Sequence, residues 1–166
     1  NPYYIKSRVE LLGVKFNMIN KNYTISAKEL STLVAEYEQT FAELGKNVQT
    51  IPIMRNYANI LAFYVYDVQK SADILYEIID MKGVARKDVD AVKLELGDIL
   101  IFGGEMWESA LLYMQVEKAN KNDIVGALAK LKNAKLSYYK GDFEAGYYDP
   151  LNLEGKYETV TLVRVQ

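Results

Sequence analysis

From Tyr3 to about Glu144 an apolar residue recurs every third or fourth position, interrupted at short intervals by Gly, Asn, Asp and a single Pro. That period confines the chain to helices that each bury one stripe, and the closeness of the breaks confines them to short rods joined by tight turns. The first predicted helix covers about Tyr4 to Ile19, with Ile5, Val9, Leu12, Phe16 and Ile19 on one stripe, and Asn20-Lys21-Asn22 ends it. Ser26-Ala27-Lys28-Glu29 has the S-x-x-E spacing of a capping box, which opens a second helix ending at Gly45. Pro52 suits the first turn of a third, about Pro52 to Tyr66, because proline there forfeits no intrahelical hydrogen bond. A fourth runs from about Val68 to Lys82 and stops at Gly83. Asp88 opens a fifth over Val89 to Phe102, Gly103-Gly104 interrupts, and a sixth covers Glu105 to Asn120. Asn122 or Asp123 caps a seventh that reaches about Lys140.

The 166 residues suffice for one domain with a substantial core. Cysteine and histidine are both absent, which excludes disulfides, thiolate nucleophiles, Cys/His zinc sites and imidazole relays. With 20 Lys and Arg against 22 Asp and Glu the net charge is -2, so no broad field draws in nucleic acid or an anionic membrane. Apolar runs such as Ile60 to Tyr66 fall far below the roughly 20 residues that span a bilayer, and the expectation is a soluble protein without membrane insertion. A cysteine-free chain beginning at Asn1-Pro2 fits the cytoplasm as well as a periplasm or cell envelope reached after removal of a signal peptide or upstream domain. Paired carboxylates occur at Glu95 and Asp98, Glu105 and Glu108, Asp88 and Asp90, and Asp142 and Glu144, but none belongs to a phosphate-binding, nucleophile-elbow, dinucleotide or calcium-loop pattern. The expectation is no catalytic residue, no metal and no cofactor; solvated helix faces account for these charges.

An internal repeat appears when the small residues are aligned. Ala72 and Ala110 lie 38 residues apart, each early in the second helix of a pair, and Ala134 stands where Gly97 stands one unit earlier. The stretch Gly104-Glu105-Met106-Trp107-Glu108 joins the helices of the better-formed unit, and Tyr139 to Glu144 occupies the same place in the next. In these residues the chain resembles the tetratricopeptide repeat family, whose helix-turn-helix unit of about 34 residues has small side chains where its helices cross. The wording from Leu94 to Lys118 is similar to large repeat proteins of Bacteroidota. The resemblance covers Met54 to Ala145. It implies an all-α fold of antiparallel helix pairs stacked as a short right-handed solenoid over 1–145, with 1–50 as a degenerate first pair. Ala72, Gly97, Ala110 and Ala134 are then the crossing residues, and Trp107 is expected to lie buried over the gap, where truncation costs about 3–5 kcal/mol.

A solenoid of that kind presents a concave face lined by the first helix of every pair. On the family's pattern the lining comprises Tyr57, Leu61 and Tyr64, then Glu95, Ile99 and Phe102, then Leu131, Lys135 and Tyr138. The expected function is a non-catalytic scaffold that binds a protein or peptide there, since tyrosine supplies contact area at low entropic cost. The alternative is a small-molecule or glycan-binding module that uses the same aromatic groove. Capture of a terminal carboxylate is not expected, because Tyr57, Leu61, Glu95 and Ile99 stand where such members carry Lys, Arg and Asn. After Ala145 the chain reads Gly146-Tyr147-Tyr148-Asp149-Pro150 and turns β-branched, so 146–166 is expected as a β-prone tail, with a turn at Asn152 to Lys156 and a strand at Tyr157 to Val165. That tail would belong to the domain, to a further domain or to an artificial junction. An apolar flank left on the seventh helix predicts capping by the tail or self-association at the C-terminal end.

Overall fold

The computed structural model describes residues 2–21 and 25–139, and among these every regular element is helical. The β-prone tail at 146–166, the turn expected from Lys140 to Glu144 and the helix-ending Asn22 lie outside the described residues. Seven α-helices follow in order: α1 Pro2–Lys21, α2 Ala27–Leu44, α3 Ile51–Ile60, α4 Val68–Asp80, α5 Arg86–Phe102, α6 Met106–Ala119 and α7 Ile124–Tyr139. The chain divides into two compact units, Asn1–Val92 and Lys93–Gln166, with the division inside α5. None of the described helices is long and apolar enough to cross a membrane.

In the first unit the breaks act through local hydrogen bonds. Ser26 Oγ accepts the Glu29 N–H at 3.2 Å while the Glu29 carboxylate accepts the Ser26 N–H at 2.9 Å, so two otherwise orphaned donors of α2 are satisfied reciprocally. Gly45 ends α2 at φ 72, a backbone conformation open to glycine without a Cβ penalty, and its N–H donates to the Phe41 carbonyl. Asn47 and Thr50 then cap a single 3-10 turn, Val48–Thr50, that leads into α3. Helix α3 departs from the expected Pro52–Tyr66 span. Its regular part stops at Ile60, and Leu61–Val65 widens into a π-helical turn that ends on Tyr66 at φ 64. Asp67 N–H donates back to the Leu61 carbonyl at 2.8 Å, and the Asp67 side chain turns forward to accept the Lys70 N–H of α4 at 3.0 Å. The run Phe63-Tyr64-Val65-Tyr66 is β-branched and aromatic, which weakens the preference for a regular last turn. Helix α1 packs on α2 and α3, and α3 packs on α4. Leu12, Tyr37, Ile53, Met54, Leu75 and Ile78 are fully buried.

In the second unit α6 lies on α7, and the core is built from Leu94, Tyr113, Val116, Ala129 and Leu136, with Met106, Ala110 and Val125 packed around it. Two glycines set how closely the rods approach. A methyl group at Gly97 would stand 2.9 Å from Tyr113 Cζ and closer still to Cε1, so the tyrosine ring rests directly on the α5 backbone. A methyl at Gly126 would collide with the Asn120 carbonyl oxygen and stand 2.7 Å from the carbonyl carbon, which brings the first turn of α7 against the end of α6. Helix α5 begins at Arg86, ahead of the expected Val89, because the Ala85 carbonyl already accepts the Asp88 and Val89 N–H groups at 2.9 and 3.1 Å.

These contacts predict opposite outcomes for one substitution at different sites. Gly126→Ala, where backbone must move, destabilises by about 1–3 kcal/mol. Gly13→Ala, mid-helix in α1 with nothing within 4 Å of the added carbon, stabilises by roughly 0.5–1 kcal/mol. Urea denaturation of the two variants checks this; equal effects would contradict the packing of α7 on α6.

Candidate functional site

In each unit one carboxylate and one lysine converge on a buried tyrosine. In the first, Tyr57 of α3 stacks on Tyr37 of α2 with ring centroids 5.4 Å apart and planes 15° from parallel, and Phe41 leans on it at 5.6 Å. Its hydroxyl donates to Glu38 Oε1 of α2 at 2.9 Å, and Lys70 of α4 donates to the same oxygen at 2.9 Å while lying 5.7 Å from the Tyr57 ring centre. In the second unit Tyr113 of α6 donates to Asp98 Oδ1 of α5 at 2.6 Å. Lys132 of α7 donates to both oxygens of that carboxylate, at 2.8 and 2.7 Å, and lies 6.0 Å from the Tyr113 ring centre. Both clasps thus run in chain order: a carboxylate on the first helix, a tyrosine on the second, a lysine on the third. Ammonium, ring and carboxylate satisfy one another, so a phenol can be buried without an orphaned hydroxyl.

The electrostatics follow from this geometry. The Lys70 hydrogen bond, and then that of Tyr57, holds the Glu38 carboxyl below its ordinary value of 4.5. Burial first, and then the Glu38 carboxylate, raises the Tyr57 phenol above 10.0. The hydrogen bond to Glu38 raises Lys70 above 10.5. Burial followed by the Asp98 bond pushes Tyr113 well above the usual phenol range, and burial alone dominates at Tyr37, whose hydroxyl donates to the Leu12 carbonyl. Each of these groups is used to tie helices together. Among the described residues no three acidic side chains come together in a way that could hold a metal ion.

The residues expected to line a groove divide. Tyr57, Leu61 and Ile99 are 2%, 2% and 1% exposed, so they are interior side chains and leave the contact set. Neighbouring helices cover the faces on which helical spacing places them. Tyr64, Glu95 and Leu131 are half-buried, and Phe102, Lys135 and Tyr138 are exposed. In the second unit, therefore, α5 and α7, joined by the Asp98–Lys132 pair, carry Glu95, Phe102, Leu131, Lys135 and Tyr138 at or near the surface. Tyr138 packs edge-on against Tyr139 at 5.9 Å.

Of the residues expected at helix crossings, Ala72 and Ala134 are buried, Gly97 carries Tyr113, and Ala110 packs at the edge of the core. Trp107 requires correction: its side chain is 82% exposed and closes no gap. At about 100° per residue, Trp107 and Val116, nine positions on, face opposite ways, and Val116 is on the buried side. Ser71 and Ser109, one position before Ala72 and Ala110 and equally 38 apart, are more deeply buried than those alanines. Ser71 Oγ donates to the Ala58 carbonyl at 2.6 Å, which lets a hydroxyl occupy the crossing. A reading keyed to alanine passes over serine, although the two differ by one atom. It passes over Glu38, Lys70, Tyr113 and Lys132 as well. The signal that identifies them is the repeated order of acid, tyrosine and lysine across three successive helices.

The Glu38 clasp makes a pH prediction. A carboxyl depressed below 4.5 contributes stability above that pH and loses it as pH falls through the lower folded-state value. A phenol and an ammonium raised above 10.0 and 10.5 contribute below those values and lose their contribution as pH rises through the higher folded-state ones. The difference in thermal midpoint between the wild-type chain and Glu38→Gln is therefore largest near neutrality and vanishes in acid. A difference independent of pH would show that the carboxylate charge is not engaged. No family model, curated protein or solved structure matches this chain.

Proposed function

We propose that the chain is a non-catalytic scaffold of the tetratricopeptide type, a short right-handed stack of helix pairs, that binds a protein or peptide through the α5 and α7 face of its second unit. The observation that carries this reading is the pairing of exposed aromatics with a rigid support. Phe102 and Tyr138 are 51% and 44% exposed on helices tied by the Asp98–Lys132 bond. Exposed aromatic side chains on regular elements lose little conformational entropy on contact, and Lys135 and Glu95 beside them supply polar groups of both signs. The expected inner lining contracts accordingly to Glu95, Phe102, Leu131, Lys135 and Tyr138.

The small-molecule alternative finds less support. A cavity of about 420 Å³ lies between α1 and α2, with Met18, Ile19, Ile25 and Leu33 as apolar wall and Lys15, Lys28 and Glu36 at its polar side. No aromatic side chain lines it, so it lacks the stacking surface a sugar requires. Lys15 is already engaged with Glu36, its Nζ 2.7 Å from Oε1.

Affinity capture from native extract, with quantitative mass spectrometry, tests the proposal. Phe102→Ala with Tyr138→Ala lowers retention of specific partners by roughly tenfold or more. Trp107→Ala, on a different helix, leaves retention unchanged. Equal capture by all three proteins removes the α5 and α7 face from consideration.

A further inference from the structure

Helix α6 is apolar on two opposite sides. Leu112, Tyr113 and Val116 face the core, whereas Trp107, Leu111 and Met114 are 82%, 52% and 39% exposed. The exposed set continues to Lys118, also exposed, so the stripe reads 107, 111, 114, 118. That spacing of four, three and four is the same from either end. It is also the spacing at which one helix face meets another along a seam. The charges at its ends are unlike: Glu108 stands in the first turn and Lys118 in the last.

We infer that this face pairs with the same face of a second copy of the chain, the two α6 helices running antiparallel about a twofold axis between Leu111 and Met114. In that register Leu111 meets Met114 of the other copy, and Trp107 meets its Lys118, which brings an ammonium onto an indole face and within reach of Glu108. The contact is made twice by symmetry. A parallel pair would set Lys118 against Lys118 and leave the two Glu108 side chains on opposite flanks, far from any lysine of the stripe, so the charge pattern selects the antiparallel one. Gln115 and Ala110, which flank the stripe, carry no charge and add no repulsion. The seam is one helix long and therefore smaller than the interfaces of permanent dimers, which makes the association weak and concentration-dependent, with a Kd between about 10 μM and 1 mM. This pairing is separate from the heterologous contact assigned to α5 and α7.

Sedimentation velocity of the 166-residue chain across that concentration range tests the inference. The wild type shifts from monomer toward dimer, and Leu111→Glu or Met114→Glu weakens the association by at least roughly tenfold. Glu108→Lys and Lys118→Glu each weaken it, and the double exchange restores it, which only the antiparallel register allows. All four side chains are exposed, and circular dichroism with thermal melting confirms that each variant keeps its fold. A chain that stays monomeric throughout overturns the inference. So does a dimer indifferent to both Leu111→Glu and Met114→Glu, which pairs through some other face, or a double exchange that fails to restore association.

Discussion

A buried phenol governs how three successive helices are held in each unit. A tyrosine hydroxyl placed in an apolar interior without a partner would oppose folding by about 1–3 kcal/mol. Tyr57 and Tyr113 avoid this by donating to a carboxylate on the preceding helix, and a lysine from the following helix closes on the same carboxylate. The ion pairs themselves are partly exposed, with side-chain accessibilities of 48% and 51% for Lys70 and Glu38 and 27% and 44% for Lys132 and Asp98. Pairs so placed contribute little net stability. Their consequence is geometric. The hydroxyl fixes where the ring ends, the ring fixes how far apart the first two helices stand, and the lysine brings in the third. At Gly97 the arrangement requires the absence of a side chain, because the Tyr113 ring occupies the space a Cβ would need.

Much of the fold was legible because it is encoded locally. A capping box, a positive-φ glycine at a helix end and a proline in a first turn each act within four residues, and the chain obeys them at Ser26, Gly45 and Pro52. Seven helical segments follow from the period and its breaks. The ends that moved are those where backbone bonding overrides side-chain cues, as at Arg86, or where a bulky run leaves the α-helical register, as at Leu61–Val65. Tyr66 accepts a left-handed conformation that few aromatic residues adopt, and nothing in its immediate neighbours announces this.

The candidate site was less legible, for a different reason. Helical spacing states which residues share a face but not whether another helix covers that face. Tyr57, Leu61 and Tyr64 share one, yet the first two are interior and only the third reaches the surface region. Helix α6 poses the difficulty most sharply. With Trp107, Leu111 and Met114 on one side and Leu112, Tyr113 and Val116 on the other, its apolar residues support two phases about half a turn apart, and composition favours assigning the largest one, tryptophan, to the core. The fold reverses that assignment: the core takes Tyr113, whose hydroxyl has Asp98 to bond, and solvent takes Trp107.

That reversal carries a physical implication of its own. Turning the indole of Trp107 outward forgoes the stabilisation that burial of a large aromatic would supply, and a polar residue at 107 would serve folding as well and solubility better. Single exposed apolar residues are ordinary on protein surfaces and require no explanation. Three of them at successive turns of one helix, ended by a lysine and flanked by an acid, make a continuous strip whose exposure disfavours the isolated chain and whose coverage would be favourable. The second unit therefore has two separable surfaces, one on α5 and α7 supported by the tyrosine clasp and one on α6 that the clasp's own orientation turns outward. Because Tyr113 and Trp107 are carried by the same rigid helix, fixing the first fixes the second. The same hydrogen bond that orders the interior also presents the outer strip.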